Sequence, residues 1–270
     1  MAVRTFGAAL ICLFVAGSTV TQAQLQDTIN KKTPLIEGKD ALLLGIFAVG
    51  TAVIAPVDKQ IASRLQDSST QENRFLHSAA TGFRLLGDPG SAITGLGIYA
   101  VGRLDGQRRV QALGLHTVEA ILFANLFTGA IKYVAGRQRP FVDITDPYDF
   151  QLWRGFKGDT YRSFPSGHST TAFAFASALT RESQFWWPHA AFYVGTVFYG
   201  GAALVGASRV YNNMHWASDV MTGAAIGTIV GLKVVKYTHS HPDNLLDKRL
   251  IKGKSRSQIQ LNPVLFSVKF

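Results

Sequence analysis

The residues of this chain best suited to chemistry lie between Ser208 and Asp219, where Arg209, His215 and Asp219 bring a cation, an imidazole and a carboxylate within twelve residues. A helix starting near Met214 puts His215 and Asp219 four positions apart on one face. The carboxylate can then accept a hydrogen bond from one ring nitrogen, which leaves the other as a base or a nucleophile. Arg209, just ahead of a turn at Asn212-Asn213, offers a planar fork of donors suited to phosphate or carboxylate oxygens. Read blandly, the same residues are a helical His–Asp pair with a nearby arginine.

Two stretches upstream point at the same kind of ligand. In Lys132-x6-Arg139-Pro140 the two cations share a helical stripe if the helix before Pro140 persists, and like charges so placed repel unless an anion lies between them. The other reading is a solvated basic helix end favoured by the dipole. Ser163-Phe164-Pro165-Ser166-Gly167-His168 opens the next helix, with Ser163 as a cap and Pro165 at the first helical position. Free backbone N–H groups at such a start bind anions. Gly167 admits an oxygen closely, Ser166 adds a hydroxyl and His168 is placed to exchange a proton, although Ser-Gly at a helix start can also be only a cap.

These stretches need a scaffold, and the composition indicates what kind. Six runs, Ala41–Val57, Ser91–Gly102, Val110–Ile131, Phe164–Thr180, Ser183–Ala207 and Val220–Leu232, contain one formally charged residue between them, Glu119. Their length and lack of strand-type alternation predict an all-α bundle of about five to six core helices. A membrane span needs about 20 apolar residues; Val110–Ile131 and Ser183–Ala207 reach that length, and the others are borderline or need their flanks. The mean hydropathy of +0.13 lies between soluble and polytopic values. Gly223, Gly227 and Gly231 form a small-residue stripe that permits close helix approach. The expectation is a membrane-embedded or membrane-associated bundle.

The net charge of +10 is spread along the chain rather than gathered in a block, which speaks against nucleic acid and for anionic substrates or membrane surfaces. Residues 1–23 read as a signal peptide, with Arg4, an apolar Phe6–Val15 core and Thr21-Gln22-Ala23 as the cleavage site. Cys12, the single cysteine, falls inside it, so no disulfide or thiolate metal site is expected. A polar segment covers 24–40, and 237–270 is a basic tail whose last residues, Val264, Phe266, Val268 and Phe270, alternate as in a strand. If Val220–Leu232 spans, the charge-bias rule keeps that tail cytoplasmic and turns the Ser208–His215 stretch outwards. Counting all six runs as spans contradicts this; dropping the short Ser91–Gly102 run restores it.

In order and without departure, Lys132-x6-Arg139-Pro140, Pro165-Ser166-Gly167-His168 and Ser208-Arg209-x5-His215-x3-Asp219 resemble the three signatures of the type 2 phosphatidic acid phosphatase and vanadium haloperoxidase superfamily. The resemblance implies a helical phosphatase domain over 41–236. In it His215 attacks phosphorus to form a phosphohistidine and Asp219 orients His215, while His168 protonates the leaving alkoxide and then activates water. Lys132, Arg139, Arg209, Ser166 and the Gly167 N–H would hold the phosphate oxygens. No cofactor and no metal is implied, and no paired carboxylate or histidine cluster outside the motifs is expected to form a divalent site. His77, His116, His189, His239 and His241 are expected to be structural or solvated.

The segment 141–163, rich in aromatics and acids, is expected to be a lid or rim, or else a surface loop with a few buried anchors. In it and beside it Arg137, Arg154, Lys157 and Arg162 either bind a second phosphate or headgroup or balance nearby aspartates. The implied substrates are lipid phosphates such as phosphatidic acid, phosphatidylglycerophosphate, an isoprenyl pyrophosphate or a lipid A phosphate, met at the periplasmic face of a bacterial-type inner membrane. The alternatives are a soluble periplasmic acid phosphatase acting on small esters, a vanadium haloperoxidase in which His215 ligates vanadium, and a lipid-binding protein with a relic site.

Overall fold

A computed structural model describes residues 37–252. The signal-peptide reading of 1–23, most of the polar segment and the alternating Val264–Phe270 tail lie outside the described residues. Helices α1 (Gly38–Ile54), α2 (Asp58–Leu65), α3 (Ser68–Gln71), α4 (Arg74–Leu85), α5 (Ser91–Leu104), α6 (Arg108–Ala135), α7 (Gly167–Trp186), α8 (Pro188–Tyr211), α9 (Ala217–Ser240) and α10 (Leu245–Leu250) account for most of them. The expected all-α bundle is what forms; Ser91–Gly102, Val110–Ile131 and Val220–Leu232 each lie within one helix, Ala41–Val57 and Phe164–Thr180 overrun a helix end, and Ser183–Ala207 is divided at Trp187 between α7 and α8. Helix α4 escaped the sequence reading because Arg74, His77 and Arg84 interrupt its apolar face. Its start is nevertheless well marked, since Asn73 Oδ1 accepts from the N–H groups of Phe75 and Leu76 at 3.0 and 3.2 Å.

Helix α7 is the axis of the bundle, packed against α6, α8 and α9, with α5 lying along α6, α1 along α9 and α4 along α8. The glycine stripe of α9 explains how close α7 comes. A Cβ on Gly227 would stand 2.4 Å from the carbonyl oxygen of Thr170, so a side chain there would push the two helices apart. Small residues on α7 answer it, with Ala174, Ala176 and Ala178 wholly buried.

The outer surface has the opposite character. Leu42, Val49 and Val53 on α1, Leu122, Phe123, Leu126 and Phe127 on α6, and Phe192, Tyr193 and Val197 on α8 all point away from the protein. An apolar surface of this extent is a lipid-facing belt. Four helical stretches are long and apolar enough to cross a membrane: Gly38–Leu65, Arg108–Ala135, Pro188–Tyr211 and Ala217–Ser240. At 14 residues, α5 falls short, in line with leaving Ser91–Gly102 out of the span count. Helix α7 carries more Ser and Thr because it faces protein on all sides and not hydrocarbon.

Candidate active site

The site is built where α6 ends and where α7 and α9 begin. Helix α6 stops at Ala135 because Gly136 turns left-handed at φ 58°. Arg139 therefore does not continue a helical stripe with Lys132, as the spacing suggested, but sits in the following loop. Its guanidinium is held by the Asp159 carbonyl and carboxylate, both at 2.9 Å, and by the Met214 carbonyl at 3.2 Å. Lys132 reaches the same region from the last turn of α6, donating to the Arg162 carbonyl at 2.7 Å. A Cβ on Gly167 would lie 3.6 Å from Lys132 Cε, which places the lysine stem over the start of α7.

Helix α7 is capped by Ser166 and not by Ser163 or Pro165, so the sequence expectation moves by three residues. Ser166 Oγ accepts from the Ser169 N–H at 3.4 Å and from the Ser169 hydroxyl at 2.9 Å. Its own proton remains available for an anion at the helix start. His168 follows in the first turn, half-buried, with no hydrogen-bond partner among the described residues.

A second correction concerns His215. Helix α9 starts at Ala217, so His215 lies outside it and the expected four-residue helical pairing does not form. Instead the ring Nδ1 lies 2.7 Å from the Ser163 carbonyl and 3.6 Å from Asp219 Oδ2. A carbonyl can only accept, so Nδ1 carries the proton and Nε2 is left with its lone pair. Burial, reinforced by Lys132 and Arg139 and opposed by Asp219, pushes the His215 imidazole down to about 3. A neutral imidazole is thereby secured at ordinary pH.

Asp219 is occupied in fixing this arrangement. Its Oδ2 accepts from the Trp216 N–H at 2.9 Å, closing the start of α9, and from the Ser163 hydroxyl at 2.6 Å. Ser163 thus bonds Asp219 through its side chain and His215 through its backbone, so the carboxylate acts on the imidazole mainly through a serine. Behind Asp219 stands Arg137, 2% exposed, which donates to Asp219 Oδ1, to Asp58 Oδ2 at 3.0 Å, to Ser218 Oγ at 2.8 Å and to the Pro147 carbonyl. Asp58 in turn accepts from the Ser218 N–H at 2.9 Å.

Asp58, Ser163 and Arg137 are the site residues that the sequence reading missed or misjudged. Of the two roles open to Arg137, headgroup ligand or partner of aspartates, its burial against Asp58 and Asp219 leaves the second; Arg154 is likewise tied up, with the Gly136 carbonyl and Asp149. The available signal for Asp58 was a lone acid just after an uncharged run. Its partner is 79 residues away, beyond what spacing can reveal.

What remains is a surplus of positive charge. Lys132, Arg139 and Arg209 lie in electrostatic range of one another and of His168, and Arg84 from α4 joins them. Arg139 has Asp159 as a counter-ion, but Arg209 is 4% exposed with Nε and Nη1 unpartnered. A buried guanidinium with two idle donors is costly unless an anion completes it. His168, in the first turn of α7, lies in electrostatic range of all three cations and His215 in range of Lys132 and Arg139, so the arrangement can hold a tetrahedral oxyanion, attack its centre and exchange a proton with it.

The pattern has relatives. Residues 113–242 match the family model described as PAP2 superfamily. A lipid A 1-phosphatase of Porphyromonas gingivalis is 41% identical over 102 residues, covering 37% of this chain and 18% of that protein. A lipid A 1-phosphatase of Rhizobium etli is 32% identical over 119 residues, covering 44% of this chain and 47% of the relative. An undecaprenyl-diphosphatase of Sulfolobus acidocaldarius is 27% identical, covering 53% and 64%. The chain thus spans less than half the length of the two lipid A 1-phosphatases. A transmembrane PAP2 type phosphatidylglycerolphosphate phosphatase from Bacillus subtilis shares the fold, with a TM-score of 0.57 at 22% identity over 74% of this chain and 96% of that one.

Away from this site the fold gathers a second group of titratable side chains. His116, Glu182 and His239 present ligand atoms within 4.8 Å of one another, so two of the histidines read singly as structural or solvated belong to a shared cluster. They are 66 and 57 residues from Glu182, and the fold alone brings them together.

Proposed function

We propose that this chain is a phosphatase of phosphorylated lipids that works through a phosphohistidine on His215. The observation that carries the reading is Arg209, buried with two unpartnered donors beside two imidazoles. That pocket is built for an anion, and among the described residues the nucleophile with a fixed free lone pair there is His215 Nε2. In the first step Nε2 attacks phosphorus and the bond to the leaving oxygen breaks, with His168 delivering a proton to that oxygen. In the second, His168 takes a proton from water, whose oxygen attacks the phosphohistidine and returns His215 with inorganic phosphate released. Lys132, Arg139 and Arg209, with the Ser166 hydroxyl and the Gly167 N–H, neutralise the non-bridging oxygens throughout, so the chemistry needs no metal ion.

The lipid character of the substrate is supported by the apolar belt and by the rim of the pocket. Phe141, Tyr148, Phe150, Leu152, Trp153 and Phe156 are all exposed in the 141–163 segment next to Arg139. Exposed aromatics at that level suit the membrane interface, where a lipid headgroup would be met. We place the pocket on the outer, periplasmic side because the basic tail after Tyr237 favours the cytoplasm. The names of the relatives make a lipid A 1-phosphate the first substrate to try, followed by undecaprenyl diphosphate and phosphatidic acid.

The test is phosphate release by the full-length chain in detergent micelles, with p-nitrophenyl phosphate as a soluble competitor and a chelator in one arm. Chelator-resistant initial rates favouring lipid, together with an alkali-stable and acid-labile phosphoprotein that His215→Ala cannot form, are expected. Faster turnover of the soluble ester would transfer the reading to a small-ester phosphatase. Absence of phosphate release from every substrate would sink it. Sidedness is read separately by labelling Trp153→Cys in intact cells with an impermeant maleimide.

A further inference from the structure

The helices that deliver the phosphate pocket carry a second cluster at their other ends. His116 lies sixteen residues before Lys132 on α6, about 24 Å away at 1.5 Å per residue. Glu182 is in the last turns of α7, and His239 is in the last turn of α9. Glu182 Oε1 is approached by His116 Nδ1 and, at 2.9 Å, by His239 Nε2. The other Glu182 oxygen accepts from Trp186 Nε1 at 2.8 Å. Phe185 stacks on the His239 ring at a centroid distance of 3.9 Å and fixes its plane. Asp247 of α10 faces His116 Nε2 at 3.1 Å.

Two features make this more than a hydrogen-bonded cluster. Both ring nitrogens of His116 face carboxylate oxygens, which can only accept, so without a metal the ring must hold two protons. Glu119, on the same helix, is 7% exposed and has a buried Oε1 with no partner, and its charged neighbours are His116, Glu182 and Asp247. Three carboxylates converge there on two imidazoles. Arg181 lies in range of Glu182 but gives its hydrogen bond to Gln184. The group is short of positive charge at the place where one carboxylate oxygen lacks a partner.

We propose that His116 Nδ1, Glu182 Oε1 and His239 Nε2 bind a divalent transition-metal ion, zinc in the first instance, with the Glu119 carboxylate as nearby compensating charge. Two imidazoles and one carboxylate without a thiolate suit zinc. His116 then needs only one proton, on Nε2, and donates it to Asp247, the usual support of a metal-bound histidine. The ion ties the far ends of α6, α7 and α9 together and, through Asp247, fastens α10 to them. It takes no part in the phosphate chemistry at the opposite end.

The experiment uses tag-free, full-length protein in detergent, equilibrated with micromolar zinc, desalted and analysed for metal. About one zinc per chain is expected, and its removal by chelator should lower Tm by roughly 5–10 °C. Glu182→Gln and His239→Ala should each lose the ion, while His77→Ala, at an exposed histidine, should keep it. Should either cluster variant fail to fold, cobalt(II) added to the metal-free wild type decides: the visible bands of a four-coordinate nitrogen–oxygen site are expected. Less than about one-tenth of an equivalent of zinc in the wild type, absence of the cobalt bands, or variants that bind as the wild type does would overturn the proposal.

Discussion

The two ends of this bundle share α6, α7 and α9 and are opposite in charge. At one end the last turns of α6 and α8, the start of α7 and the loops after α6 and before α9 bring Lys132, Arg139, Arg209, His168 and the neutral His215 imidazole together, and the unpartnered atoms include two donors on Arg209. At the other, α6, α7 and α9 gather Glu119 and Glu182 with His116 and His239, and the unpartnered atom is an acceptor on Glu119. A low-dielectric bundle tolerates neither deficit without a ligand of the missing sign. One end therefore reads as a turnover site, with idle donors around a free nucleophile. The other reads as a fixture, with both His116 ring nitrogens, both Glu182 oxygens and His239 Nε2 already oriented.

Breaking the first end should leave the second intact. His215→Ala is expected to lower kcat by on the order of 10^6-fold, the scale seen when a nucleophile is removed. Zinc content should be unchanged. Phosphate release measured over long incubations checks the first part, and a residual rate above about one-thousandth of wild type would show that another group attacks phosphorus.

Arg209→Met sharpens the contrast further, because function and stability should move in opposite directions. A rate loss of about 10^2–10^3-fold is expected from removing an oxyanion donor. The buried, unpartnered guanidinium is a liability in the free protein, so Tm should hold or rise. Inorganic phosphate should raise Tm of the wild type and not of the variant, by mass action on the folded state. Equal stabilisation of both by phosphate would place the anion elsewhere.

The parts of this contrast that a sequence can show are those that repeat or cluster along the chain. The α9 glycine stripe and the apolar runs were readable because they are local, and so were Lys132, Arg139, Ser166, Gly167, His168, Arg209, His215 and Asp219 through their spacing. What resisted reading depends on where a chain stops being helical. Gly136 ends α6 before Arg139, and α9 begins after His215, so two stripes that spacing allowed do not exist. The Asp58–Arg137–Asp219 chain and the His116–Glu182–His239 cluster join positions dozens of residues apart, and their members have no local signature. Arg137 misled because an arginine in an aromatic, acidic loop is ordinarily solvated, whereas here it is sandwiched near Phe150 and Trp216.

That buried chain offers the next test. Asp58→Ala leaves Arg137 with one carboxylate fewer and the Ser218 N–H without its acceptor. A loss of roughly 3–5 kcal/mol of stability is expected from stranding a buried partner. The effect on kcat should be smaller than that of Arg209→Met, because Asp58 reaches His215 only through Arg137 and Asp219. Denaturation in detergent and steady-state rates separate the two. A variant as stable as wild type would mean that Arg137 is adequately held by Asp219 and Pro147 alone.

The smallest effect expected is on pH dependence, and its sign follows from His215. The imidazole titrates near its ordinary 6.5 in the unfolded chain and is pushed down to about 3 in the folded one, chiefly by burial. Below 6.5 the unfolded chain takes up a proton that the folded chain refuses. The contribution to stability is therefore fully present above that pH and is lost progressively as pH falls towards 3. His215→Asn retains a donor for the Ser163 carbonyl but does not titrate, so its Tm should decline less steeply than that of the wild type between pH 6.5 and 4. Other groups titrate in both proteins and cancel in the difference. Parallel Tm–pH curves for the two would mean that His215 shares a proton in the folded state, and the neutral nucleophile at the centre of the phosphate end would have to be given up.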